Sequence, residues 1–459
     1  MQNKDEALGT QPIGKLMLSL ALPAVAAQFI NMLYNIVDRI YIGNIPGTGA
    51  LALTGVGVTF PIILLVSAFA AFAGMGGAPL ASIQLGAGNR EGAEKILGNC
   101  FSMLLVLSVT LTVIFSIFKT PLLYMQLAPP TPSSAMRRTI SPFTWRVLFS
   151  YSLLWASNTF ISAQGHATVA MLSVLIGAVI NIVLDPVFIF VFGMGVSGAA
   201  LATILSQAVS AAWVLRFLFS AKSGIRIRRG NMKFEKRVVG KVIGLGIAPF
   251  IMQSTESLVN ITLNAGLQRY GGDLYVGSMT IMQSVMQMLV MPIQGITQGA
   301  QPIMSYNYGA KNYSRVRKTF SLLLKVMLLV TVSGFALAAL LPGVLARMFT
   351  QDAELIEIVK KMMPIFFGGI WAFGAQMACQ TTFMALGQAK ISLFLALLRK
   401  VVLLVPLALL LPVVMGGNVL GIYIAEPVAD VIASFTTLSL FLIKRKTLLP
   451  DGGAPAKSK

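Results

Sequence analysis

The chain has one histidine, two cysteines and only 15 acidic residues among 459. Cys100 and Cys379 are the only cysteines and both lie in or beside apolar helices, so neither a disulfide framework nor a metal cluster is available, and His166 falls in an expected cytoplasmic turn. A membrane-embedded enzyme would need a nucleophile with its base, or a set of metal ligands; this composition supplies neither. Charged side chains are 11% of the residues against 56% hydrophobic, too few to coat a soluble protein of this length. No repeated ring of polar residues marks a continuous pore. The start of the chain lacks a small-residue cleavage pattern, and its first apolar run continues into a full span, so the first helix is expected to act as its own signal.

What is present is apolar length. About 20 apolar residues cross the hydrocarbon core as a helix, and twelve such stretches are expected at 16–41, 51–82, 97–118, 140–162, 169–192, 196–219, 241–267, 275–306, 318–341, 359–385, 391–414 and 419–443. The chain is also doubled. Pro79 and Pro302 each open the passage Pro-(six residues)-Gly-Ala-(Gly/Lys)-Asn, 223 residues apart, and Gly198 and Gly421 repeat the same offset. Ala163-Gln164-Gly165 and Ala385-Leu386-Gly387 differ from that offset by one residue. The expected organisation is a six-helix bundle over 1–219, a basic linker over 220–240, a second six-helix bundle over 241–445 and a tail over 446–459. Tandem halves of this kind suit a secondary transporter, in which the two halves rock about a site between them.

Lys and Arg collect in alternate connections: the central loop from Lys222 to Lys241, Arg90 and Lys95, Arg315, Arg317 and Lys318, Lys390, and Lys444-Arg445-Lys446. By the positive-inside rule that side is cytoplasmic and both termini lie there, with the plasma (inner) membrane of a bacterium as the expected location. Cations distributed in this way explain the net charge of +20 through topology and anionic lipid rather than nucleic acid.

The polar residues within spans are the informative ones. Asp38 in span 1 and Asp185 in span 5, the latter followed by Pro186, each need a partner or a proton, because an acid at bilayer depth costs at least about 2.5–3.5 kcal/mol. Tyr34 and Asp38 share one helix face, as do Asn181 and Asp185. With Thr203 and Asn158 they can form a cluster of oxygens and amides suited to H⁺ or Na⁺. Equally, Asp38 can pair with Arg39 and Asp185 can cap an interrupted helix. In the second half Glu256, Glu426 and Asp430 form a possible second polar site, which Arg399-Lys400 can neutralise. Pro23 and Pro249 are candidate hinges, since proline removes a helix hydrogen bond. Span 8 carries Met282, Gln283, Met286 and Gln287 on an adaptable face for a promiscuous ligand, or simply as packing.

The doubled Pro-(six)-Gly-Ala-x-Asn passage, Asn35-x-x-Asp38, Phe160-Ile161-Ser162-Ala163-Gln164-Gly165 and Asn181-x-x-x-Asp185-Pro186 resemble multidrug and toxic compound extrusion (MATE) transporters of the bacterial drug-efflux branch. The likeness runs over nearly the whole chain. It implies an all-α V-shaped pair of six-helix bundles related by a pseudo-twofold axis. Such proteins export cationic and amphipathic small molecules against inward H⁺ or Na⁺, with no other cofactor, and two halves in one chain make a monomer sufficient. By the same resemblance the coupling site falls on Asp38, Asn181, Asp185 and Thr203, with Tyr34 and Asn158 nearby, and the helix 1 bend on Pro23. Members that couple through the second half pair an acid like Glu256 with an aspartate in helix 10, where this chain offers only Gln376 and Gln380. The alternative within the wider superfamily is a lipid-linked saccharide flippase. Residues 129–157 depart from the pattern: Arg137, Arg138 and Arg146 stand where members usually show a Tyr-Ala-x-Asp-Tyr-Leu-like run. Codons for Thr139 to Arg146 read one base out of register can encode Asp-Tyr-Leu-Ser-Ile-Tyr-Leu-Ala, so the segment reads either as a compensated frameshift ending just before Asn158 or as ordinary divergence, which the nucleotide sequence decides.

Overall fold

The computed structural model describes residues 4–46, 49–117 and 156–450. Among these residues there are helices and no strands. The α-helices are α1 (Lys4–Thr10), α2 (Ile13–Gly43), α3 (Gly49–Gly86), α4 (Arg90–Ile117), α5 (Ala167–Pro186), α6 (Val196–Phe219), α7 (Lys236–Tyr270), α8 (Asp273–Gly309), α9 (Tyr313–Leu340), α10 (Pro342–Arg347), α11 (Ala353–Phe366), α12 (Ile370–Ala385), α13 (Ala389–Leu397), α14 (Val405–Val414) and α15 (Leu420–Leu448). Wider π turns follow α5 at Val187–Val191 and join α13 to α14 at Leu398–Leu404. Among the described residues eleven stretches are long and apolar enough to cross a membrane. Of the expected fourth span at 140–162 and the segment 129–157, all but the last residues lie outside the described part; residues 156–163 are helical.

The duplicated passage is a turn. Asn89 N donates to Gln84 O at 2.9 Å and Asn312 N to Asn307 O at 2.8 Å, each closing the long-range bond of a Schellman cap. The third residue of each turn, Gly88 or Lys311, has positive φ. The asparagine then starts the next helix: Asn89 Oδ1 accepts from Gly92 N and Asn312 Oδ1 from Arg315 N. Helix stop and helix start are therefore written into four residues, and both halves keep them because the backbone geometry requires it.

The same offset governs packing. A Cβ on Gly86 would strike the Tyr306 carbonyl, and one on Gly309 would strike the Ile83 carbonyl, so α3 and α8 cross backbone to backbone about a local twofold. Within the halves, Gly198 lies on the backbone of Phe188 and Gly421 on that of Leu411 and Pro412. Further contacts between halves join Gly299 to Ala21, Gly295 to Val25 and Gly246 to Phe72, with the Phe250 ring against Phe69 and Phe72 at 4.9 and 6.0 Å between centroids. Pro23 and Pro249 lie inside α2 and α7 beside these contacts.

Each half is also capped by the segment that leads into the other. Ahead of α2, the Leu8 carbonyl accepts from Asn307 Nδ2 at 2.8 Å and Arg315 Nη2 donates to Gln11 O at 2.7 Å, so the chain start is held by the second half. Ahead of α7, Gln164 Oε1 accepts from Ser223 Oγ at 2.9 Å and Ile225 N at 3.0 Å, while Arg228 pairs with Glu94 at 2.8 Å. Ser223, Ile225 and Ile227 alternate inward in this extended stretch and are buried against the first half, so the basic linker is a fitted cap.

Candidate functional site

The first polar cluster is built where α2, α5 and α6 meet. Asn181 and Asp185 sit one turn apart on α5 and are fully buried. Asn181 Nδ2 donates to Asp185 Oδ1 at 3.2 Å and to Thr203 Oγ1 at 3.3 Å, and Thr203 Oγ1 donates to Ala199 O at 3.0 Å. Asp38, half-buried on α2, brings its carboxyl within hydrogen-bonding range of Asp185. Close approach of α6 to the π turn at Gly198 sets Thr203 toward α5, and π turns of this kind recur at functional positions.

Acceptors outnumber donors in this cluster. Asp38 Oδ1, Asp185 Oδ2 and Asn181 Oδ1 are buried without a hydrogen-bond partner, at about 1–3 kcal/mol for each buried group left unpaired. Two facing carboxylates repel unless a proton or a cation lies between them. The arrangement is thus able to take up one positive charge, as H⁺ or as a small cation bound through carboxylate, amide and hydroxyl oxygens. Among the described residues no group of three or more His, Cys, Asp or Glu residues is placed to hold a metal ion.

Tyr34 is half-buried on α2, one turn before Asp38. Asn158 is set apart: its Nδ2 donates to Ala170 O at 3.1 Å, three turns before Asn181 on α5, roughly 16 Å along the helix. The helical residues 156–163 meet α5 near its start, which is why helix membership alone did not locate Asn158. On α8, Met282 is fully buried in the core of the second half and Gln283 Nε2 donates to Asn260 Oδ1 at 2.8 Å, whereas Met286 is half-buried and Gln287 exposed. In this conformation Met282 is packing, because its helix face turns into the bundle.

The second cluster is closed by its own cations. Arg399 Nε donates to Asp430 Oδ1 at 2.6 Å, Arg399 Nη2 to Glu426 Oε1 at 3.1 Å, and its guanidinium lies 4.6 Å from the Phe373 ring centre. Lys400 pairs with Glu256. Gln376 and Gln380 of α12 line the adjoining cavity with Met252 and Phe373. Sequence reading did not single out Gln164 or Glu94 as anchors of the linker cap, since nothing in their local pattern shows a partner 59 or more residues away.

The comparisons with known proteins agree with this architecture. The MatE family profile matches residues 23–187 and 249–410. The chain is 22% identical to the multidrug export protein MepA of Staphylococcus haemolyticus, over 95% of this chain and 96% of that protein. The MepA of Staphylococcus aureus is also 22% identical, over 92% of this chain and 94% of its own. Among solved structures, a MATE protein in complex with MaL6 superposes with a TM-score of 0.89 at 21% identity, covering 98% of this chain and 99% of that one. An outward-facing multidrug resistance MATE transporter of the MOP superfamily superposes at 0.88, also with 21% identity and with 98% and 99% coverage. At such identities these structures speak to the fold.

Proposed function

The chain belongs to the MatE family, and from that premise we propose that it is a secondary active multidrug efflux transporter, exchanging inward H⁺ or Na⁺ for outward cationic or amphipathic organic compounds. One observation carries the reading: in the cluster where Asp185 accepts from Asn181, buried oxygens of Asp38, Asp185 and Asn181 have no hydrogen-bond partner, and uptake of one cation or proton would relieve that deficit. The export of drugs named for the MepA relatives supports the substrate class, and favours it over transfer of lipid-linked saccharides.

In this reading the cation-rich ends face the cytoplasm, and both termini with them. The contacts between halves described above extend from that end to Val25 on α2. Asp38 lies thirteen residues further along, roughly 20 Å at helical rise, so the ion site is reached from the opposite side. Charge uptake between α2 and α5 shifts their packing, and drug affinity changes with it. Such a shift requires different ion affinity in the two states, because a ligand that binds both equally moves nothing.

The test is uptake of an ethidium-like fluorescent cation into inside-out vesicles, driven separately by a proton and a sodium gradient. Gradient-driven transport by the parent protein and its loss in both Asp38→Asn and Asp185→Asn is the expected result; full transport in Asp38→Asn would refute the coupling site.

A further inference from the structure

The two halves share one repeat yet balance their acids by different means; in the second half Glu426 and Asp430 are buried, while the Glu256 side chain is 49% exposed. In the first half, Asp38 and Asp185 meet each other and Asn181; the charge of the neighbouring Arg39 acts on Asp38, but among the described residues no basic side chain forms a salt bridge with either acid. In the second half three acids, Glu256, Glu426 and Asp430, are met by the consecutive cations Arg399 and Lys400. The π turn at Leu398–Leu404 carries both and directs them apart, Arg399 to α15 and Lys400 to α7.

The surroundings of the Lys400 ammonium are those of a small cation site. Its Nζ lies against the Glu256 carboxylate and 3.5 Å from the Met252 carbonyl oxygen. The cavity beside it is lined by Met252, Phe373, Gln376, Gln380, Arg399 and Lys400. Gln376, 2% exposed, is among the lining residues, and its amide oxygen has no hydrogen-bond partner. A carboxylate, a main-chain carbonyl and a free amide oxygen are the ligands a hard monovalent cation takes. The lysine ammonium is a compact point charge on a flexible stem that reaches such a place from a neighbouring helix.

We propose that Lys400 is a tethered counter-cation: its ammonium occupies, between Glu256 and the Met252 carbonyl, a latent monovalent-cation site in the second half. This half therefore balances its acids without taking an ion from solution. The corollary that mobile-ion exchange belongs to the first half alone rests on the transport reading above; the occupancy of the latent site does not.

The experiment uses full-length protein in nanodiscs, with Asp38→Asn and Asp185→Asn both present to silence the first-half cluster. Thermal unfolding is followed in NaCl, KCl and choline chloride at equal ionic strength. The background protein and its Lys400→Arg derivative should unfold at the same temperature in all three salts. Lys400→Met should acquire a saturable, alkali-cation-dependent rise in Tm that Glu256→Gln removes again. A folded Lys400→Met protein indifferent to Na⁺ and K⁺, or a background protein that already responds through Glu256, would overturn the proposal. Because Lys400→Met can prove too unstable to purify, the second measurement counts radioactive Na⁺ bound by the otherwise unaltered protein and by Glu256→Gln. Equal site numbers support a site filled by lysine, and one site fewer in Glu256→Gln overturns it. None of these readouts needs transport, so absence of drug efflux would leave them intact and would count against the transport reading alone.

Discussion

Gly86 and Gly309, 223 residues apart, hold one crossing from its two sides: each lies where a methyl group would collide with a carbonyl of the opposite helix, at Tyr306 and at Ile83. The colliding residues are themselves 223 apart. A sequence repeat has here become a local twofold, and it joins the halves at their cation-rich ends.

Gly86→Ala and Gly309→Ala should therefore act alike. Either change forces backbones apart, at the roughly 1–3 kcal/mol typical of overpacking, and should lower Tm while raising thiol-reagent access to a cysteine placed nearby on α3. Gly14→Ala is the control: nothing lies within 4 Å of its missing Cβ, and the gain in helix propensity, up to about 1 kcal/mol, should leave Tm unchanged or higher. Unequal effects at the two crossing glycines would argue against a symmetric seal.

Asn181→Ala separates the roles within the first cluster. Asp185 then loses the amide that fixes Oδ1 and Thr203 loses its donor, yet both carboxyl groups remain. Gradient-driven efflux should fall several-fold and require a steeper gradient, in contrast to its loss in the Asp38→Asn and Asp185→Asn proteins. Vesicle uptake at graded ion gradients checks this; wild-type behaviour would remove Asn181 from the site.

Arg399→Ala leaves Glu426 and Asp430 in a membrane interior with their principal cation gone. Removing one partner of a buried pair costs about 3–5 kcal/mol, so expression and Tm should both drop sharply. Arg399→Lys keeps the charge but not the fork that reaches two carboxylates at once, and should rank between. Detergent melting curves of the three proteins give the order.

The paired caps should loosen separately. Arg315→Ala withdraws the bond to Gln11 and should speed hydrogen exchange over residues 4–11 while leaving 223–227 protected. Gln164→Ala, which removes the acceptor shared by Ser223 and Ile225, should do the reverse. Joint loosening in either variant would show that the two caps open as one unit.

The sequence by itself determined the membrane class, the doubling, the family likeness and, within several residues, the eleven expected spans that fall on described residues; the one at 140–162 lies mostly outside them. Each of these depends on local composition or on spacing along one chain. The observed helices run a little past the expected spans, as in α7 and α8, because hydropathy marks the hydrocarbon thickness while the helix continues to its cap. Asp38 and Asp185 were visible as acids in apolar runs, and their helical spacing named Tyr34 and Asn181 as neighbours on the same faces. Only the tertiary structure decided that Thr203 joins Asn181 while Asn158 reaches Ala170, that Met282 fills the core, and that Arg399 and Lys400 turn to different helices. Those outcomes depend on helix rotation and on how closely glycines let helices approach, and both are set by side chains on partners up to hundreds of residues away.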